Sequence, residues 1–112
     1  MLDEGRAATD VLITRSRGGV PIRLTDERWQ HIASRHPEMK DYRKQVLETL
    51  GDPDCVQQGD FGELLAVRMY GGLNLGRHVV VVYRETGPDD GFVLTAYVTD
   101  RPSSRRTVLW KR

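Results

Sequence analysis

Residues 78–98 read H-V-V-V-V-Y-R-E-T-G-P-D-D-G-F-V-L-T-A-Y-V: two runs of β-branched and aromatic residues on either side of a turn sequence. Such runs favour strands, and G-P-D-D-G is short and rich in turn formers, so the pair predicts an antiparallel hairpin. Upstream, C-V-Q-Q from Cys55 and E-L-L-A-V-R-M-Y from Glu63 keep the same period of two, and G-G-L-N-L-G makes a looser link to the hairpin. The whole segment predicts an antiparallel meander. Downstream, T-V-L-W could add a strand or simply dock Trp110.

Before Cys55 the period changes. Thr25 is a good N-cap, Asp26 and Glu27 place negative charge at the positive end of a helix dipole, and Pro37 disfavours helical geometry at His36. These signals predict a helix over residues 26–35. Met39, Tyr42, Val46 and Leu50 then recur at helical spacing, Leu47 widens the stripe, and Gly51 with Pro53 closes a second helix. Helices followed by a run of strands give an α+β class, with two N-terminal helices packed on one face of an antiparallel β-meander. Ahead of them V-L-I-T and V-P-I-R-L flank R-S-R-G-G, a short hairpin or an extended lead-in, with Pro21 sending the second run to a sheet edge. The expected organisation is a loose lead-in over residues 1–20 and one domain over residues 21–112.

At 112 residues, with 38% hydrophobic and 29% charged side chains, the chain suits one folded core rather than two, or a disordered polymer. Seventeen basic and sixteen acidic residues nearly cancel, so net charge alone selects no partner. After Thr99, however, five basic residues face one aspartate, a solvated tail or a phosphate contact. Cys55 is the single cysteine, which rules out an internal disulfide framework and fits a reducing compartment. No segment has the apolar length of a signal peptide core or a membrane span, so a cytoplasmic protein without a membrane role is expected.

The chemistry-bearing stretch is W-Q-H-I-A-S-R-H-P-E, residues 29–38. On a helix, Trp29, Ile32 and Ala33 share an apolar face, and His36 would extend it at the last turn. His31 lies about 200° from Trp29, between Arg28 at i−3 and Arg35 at i+4. Two guanidinium neighbours oppose a third positive charge on that ring, and an uncharged imidazole is what a general base needs. The alternative is an ordinary surface histidine. Metal chelation by the pair is disfavoured, because His31 and His36 diverge by about 140° around the helix.

Strict alternation in F-V-L-T-A-Y-V-T would put Phe92, Leu94, Ala96 and Val98 in the core, with Val93, Thr95, Tyr97 and Thr99 opposite. The second set can donate hydrogen bonds to phosphate or stack on a base. The same alternation pairs Arg68 with Tyr70, and His78 with Arg84. A polar sheet face of this kind is either a phosphate surface or the solvated side of a two-layer domain.

L-T-D-E-R-W-Q-H-I-A-S-R-H-P-E-M, the spacing to L-G-D-P-D-C-V, the V-V-V-V strand and the ending L-T-A-Y-V-T-D-R…L-W resemble the phage-type branch of the barnase/EndoU/colicin/RelE-like (BECR) ribonuclease superfamily. The likeness spans roughly residues 24–110. It implies two N-terminal helices on an antiparallel sheet and RNA cleavage without metal or other cofactor. By motif it implies catalytic roles for His31, Arg35, Thr95 and Tyr97, with Arg28, His36, Arg68 and Arg101 as substrate contacts. Where the family pattern carries a lysine after D-R, this chain has Ser103 and Ser104.

The expected activity is therefore endoribonucleolytic and toxin-like, with RNA as substrate and a cognate antitoxin or other protein as a further partner. A non-catalytic RNA- or protein-binding module of phage or mobile-element origin is the rival from another class. A structural accessory protein without any nucleic-acid contact is the third.

Overall fold

Thr25, the expected N-cap, does cap a helix: its Oγ accepts the Arg28 backbone N–H at 3.0 Å, and the helix runs Asp26–Arg35. The computed structural model describes residues 11–72 and 77–112. The expected loose start over residues 1–9 and the centre of the G-G-L-N-L-G link lie outside the described residues.

The elements in chain order are β1 (Val11–Arg15), β2 (Pro21–Thr25), α1 (Asp26–Arg35), a 3-10 turn (Pro37–Met39), α2 (Arg43–Gly51), β3 (Cys55–Gln58), β4 (Leu64–Tyr70), β5 (Arg77–Gly87), β6 (Asp90–Thr99) and β7 (Val108–Lys111). The class is α+β, two helices with one seven-stranded sheet of order β1-β2-β6-β5-β4-β3-β7. β3 to β6 form the antiparallel meander. The sheet is nonetheless mixed, because β2 meets β6 in parallel through the single pairing of Arg23 with Phe92.

Two strand expectations change. The hairpin reading of the lead-in holds, since β1 pairs with β2 over five residues, so Val11–Arg15 belongs to the same sheet. But β1 takes the edge and β2 lies inside it; Pro21 sits at the first position of β2, where a missing N–H costs little. At the far side T-V-L-W does both things expected of it. β7 pairs with β3, and Trp110 packs under the Arg17 guanidinium at 4.3 Å.

Both helices pack on one sheet face. Trp29 and Ile32 of α1 and Val46 and Leu50 of α2 meet Ile22, Leu24, Ala66, Val79, Val81, Tyr83, Val93 and Ala96 in one buried cluster. A smaller cluster of Leu65, Val67 and Val80, joined by Cys55, Val82 and Tyr97, occupies the opposite face. Some of that second face is roofed. The pairings make β6 and β7 run in the same direction, so the chain after Thr99 must travel back along the sheet before β7 begins. Gln57 Nε2 donates to the Ser103 carbonyl at 2.8 Å, which ties this strap over the second cluster.

A bulge in β6 overturns part of the expected alternation. Val82 faces Thr95 but Tyr83 faces Val93, which leaves Leu94 as an extra residue. Below the bulge the faces therefore exchange: Val93 is buried in the main core, while Phe92 and Leu94, expected there, are only half-buried. Above it Ala96 and Val98 face the helices as expected, and Thr95, Tyr97 and Thr99 share the other face with Phe92.

Gly91 marks where β6 must come closest to its neighbours. A Cβ there would fall on the Arg84 carbonyl oxygen and within 2.5 Å of Ile22 Cδ1. Backbone and a fully buried isoleucine cannot both give way, so Gly91→Ala is expected to destabilise the fold by about 1–3 kcal/mol, the range for overpacking a core. A urea midpoint unchanged from the parent would refute this.

Candidate functional site

His36 leaves the apolar stripe of α1 rather than ending it. As C-cap it adopts φ −131° and ψ 78°, its N–H still bonds the Ile32 carbonyl at 2.8 Å, and Pro37 follows at the start of the 3-10 turn. Held out of helical angles before a proline, the residue swings its side chain out of the helical row. The imidazole comes to rest with its centroid 5.9 Å from the Tyr97 ring, the planes tilted by 37°. On its other side the Glu38 carboxylate lies 3.8 Å from Nδ1. The ring keeps about a third of its side-chain surface open to solvent.

The bulge at Leu94 prepares the neighbouring edge. Once β2 and β6 part after Arg23 and Phe92, no strand among the described residues lies beside the remaining edge of β6, and α1 packs there. Arg28 Nη1 reaches the Leu94 carbonyl at 3.4 Å, a long hydrogen bond to a group outside the regular ladder. Arg28 and His36, two turns apart on α1, thus both meet β6.

Two open cavities share Thr25 and Arg28 and form one groove along this junction. One, of about 380 Å³, adds Glu27 and His31, and the other, of about 310 Å³, adds Arg23, Phe92 and Val93. At the far end Arg23 forms a paired contact with Asp90, at 2.9 and 3.1 Å, and stands 6.0 Å from the Phe92 ring centre. The hydrogen bond from Arg23, more than any other influence, holds the Asp90 carboxyl below its ordinary range. A larger cavity of about 420 Å³ lies elsewhere, under the strap, lined by polar residues including Arg105 and Arg106. Arg106 there is engaged with Asp60 at 3.1 Å.

The expected site residues separate into groups. Arg28, His31 and Arg35 follow one ridge of α1; His31 and Arg35 are exposed, and His31 lines the groove. Neither Arg28 nor Arg35 has a carboxylate partner among the described residues. Thr95 and Tyr97 face away from the helical core, with Val82 and Val80 as their cross-strand partners. Tyr97 meets His36, whereas no contact joins His31 to Thr95 or Tyr97 among the described residues.

Arg68 belongs to a different place. It lies on the helix-packed face beside Tyr70, bonds the Asp52 carbonyl at 3.2 Å and its carboxylate at 3.3 Å, and so points away from Tyr97. Arg101 is exposed at the start of the strap, its N–H on Thr99 Oγ1 at 3.3 Å. Burial, more than its charged neighbours, pushes the Cys55 pKa up and keeps thiolate scarce.

No family model, no curated protein and no solved structure matches the chain. The site is therefore read from its own chemistry. Among the described residues no group of three or more His, Cys, Asp or Glu gathers as a metal cluster, and no helix is long and apolar enough to cross a membrane.

Sequence reasoning passed over Glu38 and Phe92. Glu38 was visible in H-P-E, where a carboxylate two residues from a histidine is a usable signal. Phe92 was hidden by the bulge, which has no mark in the sequence. His36, expected as a substrate contact, has the Tyr97 ring and the Glu38 carboxylate as its neighbours.

Proposed function

We propose that the protein is a metal-independent endoribonuclease, in which a ribose 2′-OH attacks the adjacent phosphodiester. The observation that carries this reading is the contact of His36 with Tyr97 at the end of α1; Arg28 and His31 line a cavity nearer the start of the same helix. Cleavage of this kind forms a 2′-O–P bond and breaks the P–5′-O bond, leaving a 2′,3′-cyclic phosphate and a 5′-OH. One proton must leave the 2′-OH, one must reach the departing 5′-oxygen, and the phosphorane-like transition state must be met by positive charge or hydrogen-bond donors.

His36 supplies the proton to the 5′-oxygen. The Glu38 carboxylate lies 3.8 Å from Nδ1, and Nε2 is the nitrogen left for substrate. Tyr97 and Thr95 donate hydroxyl hydrogen bonds to the non-bridging oxygens, and Arg28 and Arg35 supply the charge. His31, first expected to transfer a proton, takes a place on the groove wall, in a cavity it lines with Thr25, Glu27 and Arg28.

Incubation with bulk RNA in the presence and absence of EDTA tests the reading. Cleavage that survives chelation and leaves cyclic phosphate ends is the expected result. Retention of RNA without any cutting would replace the enzyme by a binding module, and neither binding nor cutting would end both.

A further inference from the structure

The sheet face turned away from the helices carries a row of aromatic and basic side chains that leads from the groove beside α1 to the cavity under the strap. We infer that single-stranded RNA crosses this face, with bases stacked on Phe92 and Phe61 and a phosphate held by Arg105; RNA as the ligand rests on the ribonuclease reading above.

Strand register builds the row. Ile22 and Leu24 on β2 are buried under the helices, so Arg23 between them points to the opposite face. Arg23 pairs with Phe92 on β6, and Phe92 pairs with Arg84 on β5, next to the buried Tyr83. Arg84 Nη2 then donates to the Phe61 carbonyl at 3.0 Å, on the turn between β3 and β4. Arginine and phenylalanine thus alternate across the sheet. At one end Arg23 and Phe92 line the cavity of about 310 Å³ beside α1. At the other Asp60, the neighbour of Phe61, lines the cavity of about 420 Å³ together with Ser103, Arg105, Arg106 and Thr107.

The β3–β4 turn keeps one ring outside. Glu63 Oε1 accepts the Phe61 N–H at 2.8 Å, Arg84 takes the Phe61 carbonyl, and Gly62 at φ 89° supplies the left-handed residue of the turn. Held by both backbone groups, Phe61 stays 80% exposed. A lone exposed phenylalanine is ordinary. One fixed between a guanidinium and a polar cavity is the arrangement that binds unpaired nucleic acid, in which rings take the bases and cations take the backbone.

The acidic groups along the row are engaged within the protein. Asp60 holds Arg106 at 3.1 Å, Asp90 holds Arg23 at 2.9 Å, and Glu63 holds the Phe61 N–H. Arg105 is exposed and has no carboxylate partner among the described residues, so it is the cation left for a phosphate. Duplex RNA keeps its bases stacked in pairs and offers Phe61 no free face, so the row favours single strands.

The test measures binding of a fluorescent 2′-O-methyl oligoribonucleotide, which lacks the attacking hydroxyl and stays whole, as a single strand and as a duplex. The single strand is expected to bind more tightly. Phe61→Ala should weaken its binding by about 5–150-fold, the worth of one stacked base, and Phe61→Tyr should keep the parent affinity. Arg105→Gln should reduce the slope of log affinity against log salt by about 0.7, the share of one phosphate contact on a single strand. Both positions lie outside the core, and melting curves check that each variant folds. Parent-like affinity in Phe61→Ala, an unchanged salt slope in Arg105→Gln, or a duplex bound as tightly as the single strand overturns the inference. Cutting of the unmethylated strand is followed in parallel. Binding that depends on Phe61 and Arg105 without any cutting keeps the inference and removes the ribonuclease reading, and cutting that ignores both residues does the reverse. A parent that neither binds nor cuts ends both.

Discussion

If the proposed ribonuclease reading holds, His36→Ala is expected to slow cleavage of ordinary RNA by about 10²–10⁴-fold, the contribution of a positioned general acid. The side chain lies outside the core: about a third of it is open, and its neighbours are the Tyr97 ring and the Glu38 carboxylate. Loss of a partly exposed aromatic contact costs about 1 kcal/mol, so the variant should melt within a few degrees of the parent. The α1 boundary should also survive, because Pro37 still follows position 36 and still ends the helix. His36→Gln, which keeps a hydrogen-bonding side chain but cannot be protonated, should be as slow as alanine. A cleavage time course with a melting curve on each variant checks this. Parent-like cleavage by either folded variant removes His36 from the chemistry, and the site with it.

Ile32→Ala has the largest expected effect on stability, about 2–5 kcal/mol. Ile32 is fully buried in the main cluster, four residues in sequence from both Arg28 and His36. Removing its outer carbons forfeits their transfer from water and leaves a cavity between α1 and the sheet that rigid strands cannot fill. For a domain of this size the loss corresponds to a fall in melting temperature of roughly 10–20 °C. Ile32→Val, which removes one methylene, should cost only about 0.5–1.5 kcal/mol. The pair separates packing from chemistry: Ile32→Val should retain cleavage at low temperature, since Arg28 and His36 keep their anchor. Equal destabilisation by both variants would mean that α1 is not held by this contact.

The parts of the fold legible in the sequence were those set by neighbours along the chain. Thr25, the acidic first turn and Pro37 delimited α1 because capping, dipole and proline sterics act within a few residues. The β5–β6 hairpin was legible for the same reason, with its apolar runs on both sides of Pro88 and Asp89. α2 began at Arg43, later than the Met39 stripe suggested, since Pro37–Met39 formed a separate 3-10 turn. Its buried residues, Val46 and Leu50, were those the spacing marked.

What depended on distant chain did not show. No local signal says that β2 runs parallel to β6, or that β7 crosses to the side of β3, because those pairings satisfy backbone groups more than forty residues apart. Alternation misplaced Phe92, Leu94 and Val93 because one extra residue at Leu94 shifts every side chain below it to the other face. The helical wheel put His36 on the core stripe, but a wheel assumes helical angles that the residue before Pro37 does not adopt.

The amino-acid order alone determined the class, the limits of α1 and the supply of cations on one of its ridges, since periodicity and capping are short-range effects. Only tertiary structure decided which histidine reaches Tyr97, which arginine turns away to Asp52, and that His78 shares a face with Thr99. The physical reason is that side-chain convergence follows from strand register, a bulge and a non-helical C-cap. Each is settled by the free energy of packing the whole sheet rather than by any residue's own preference.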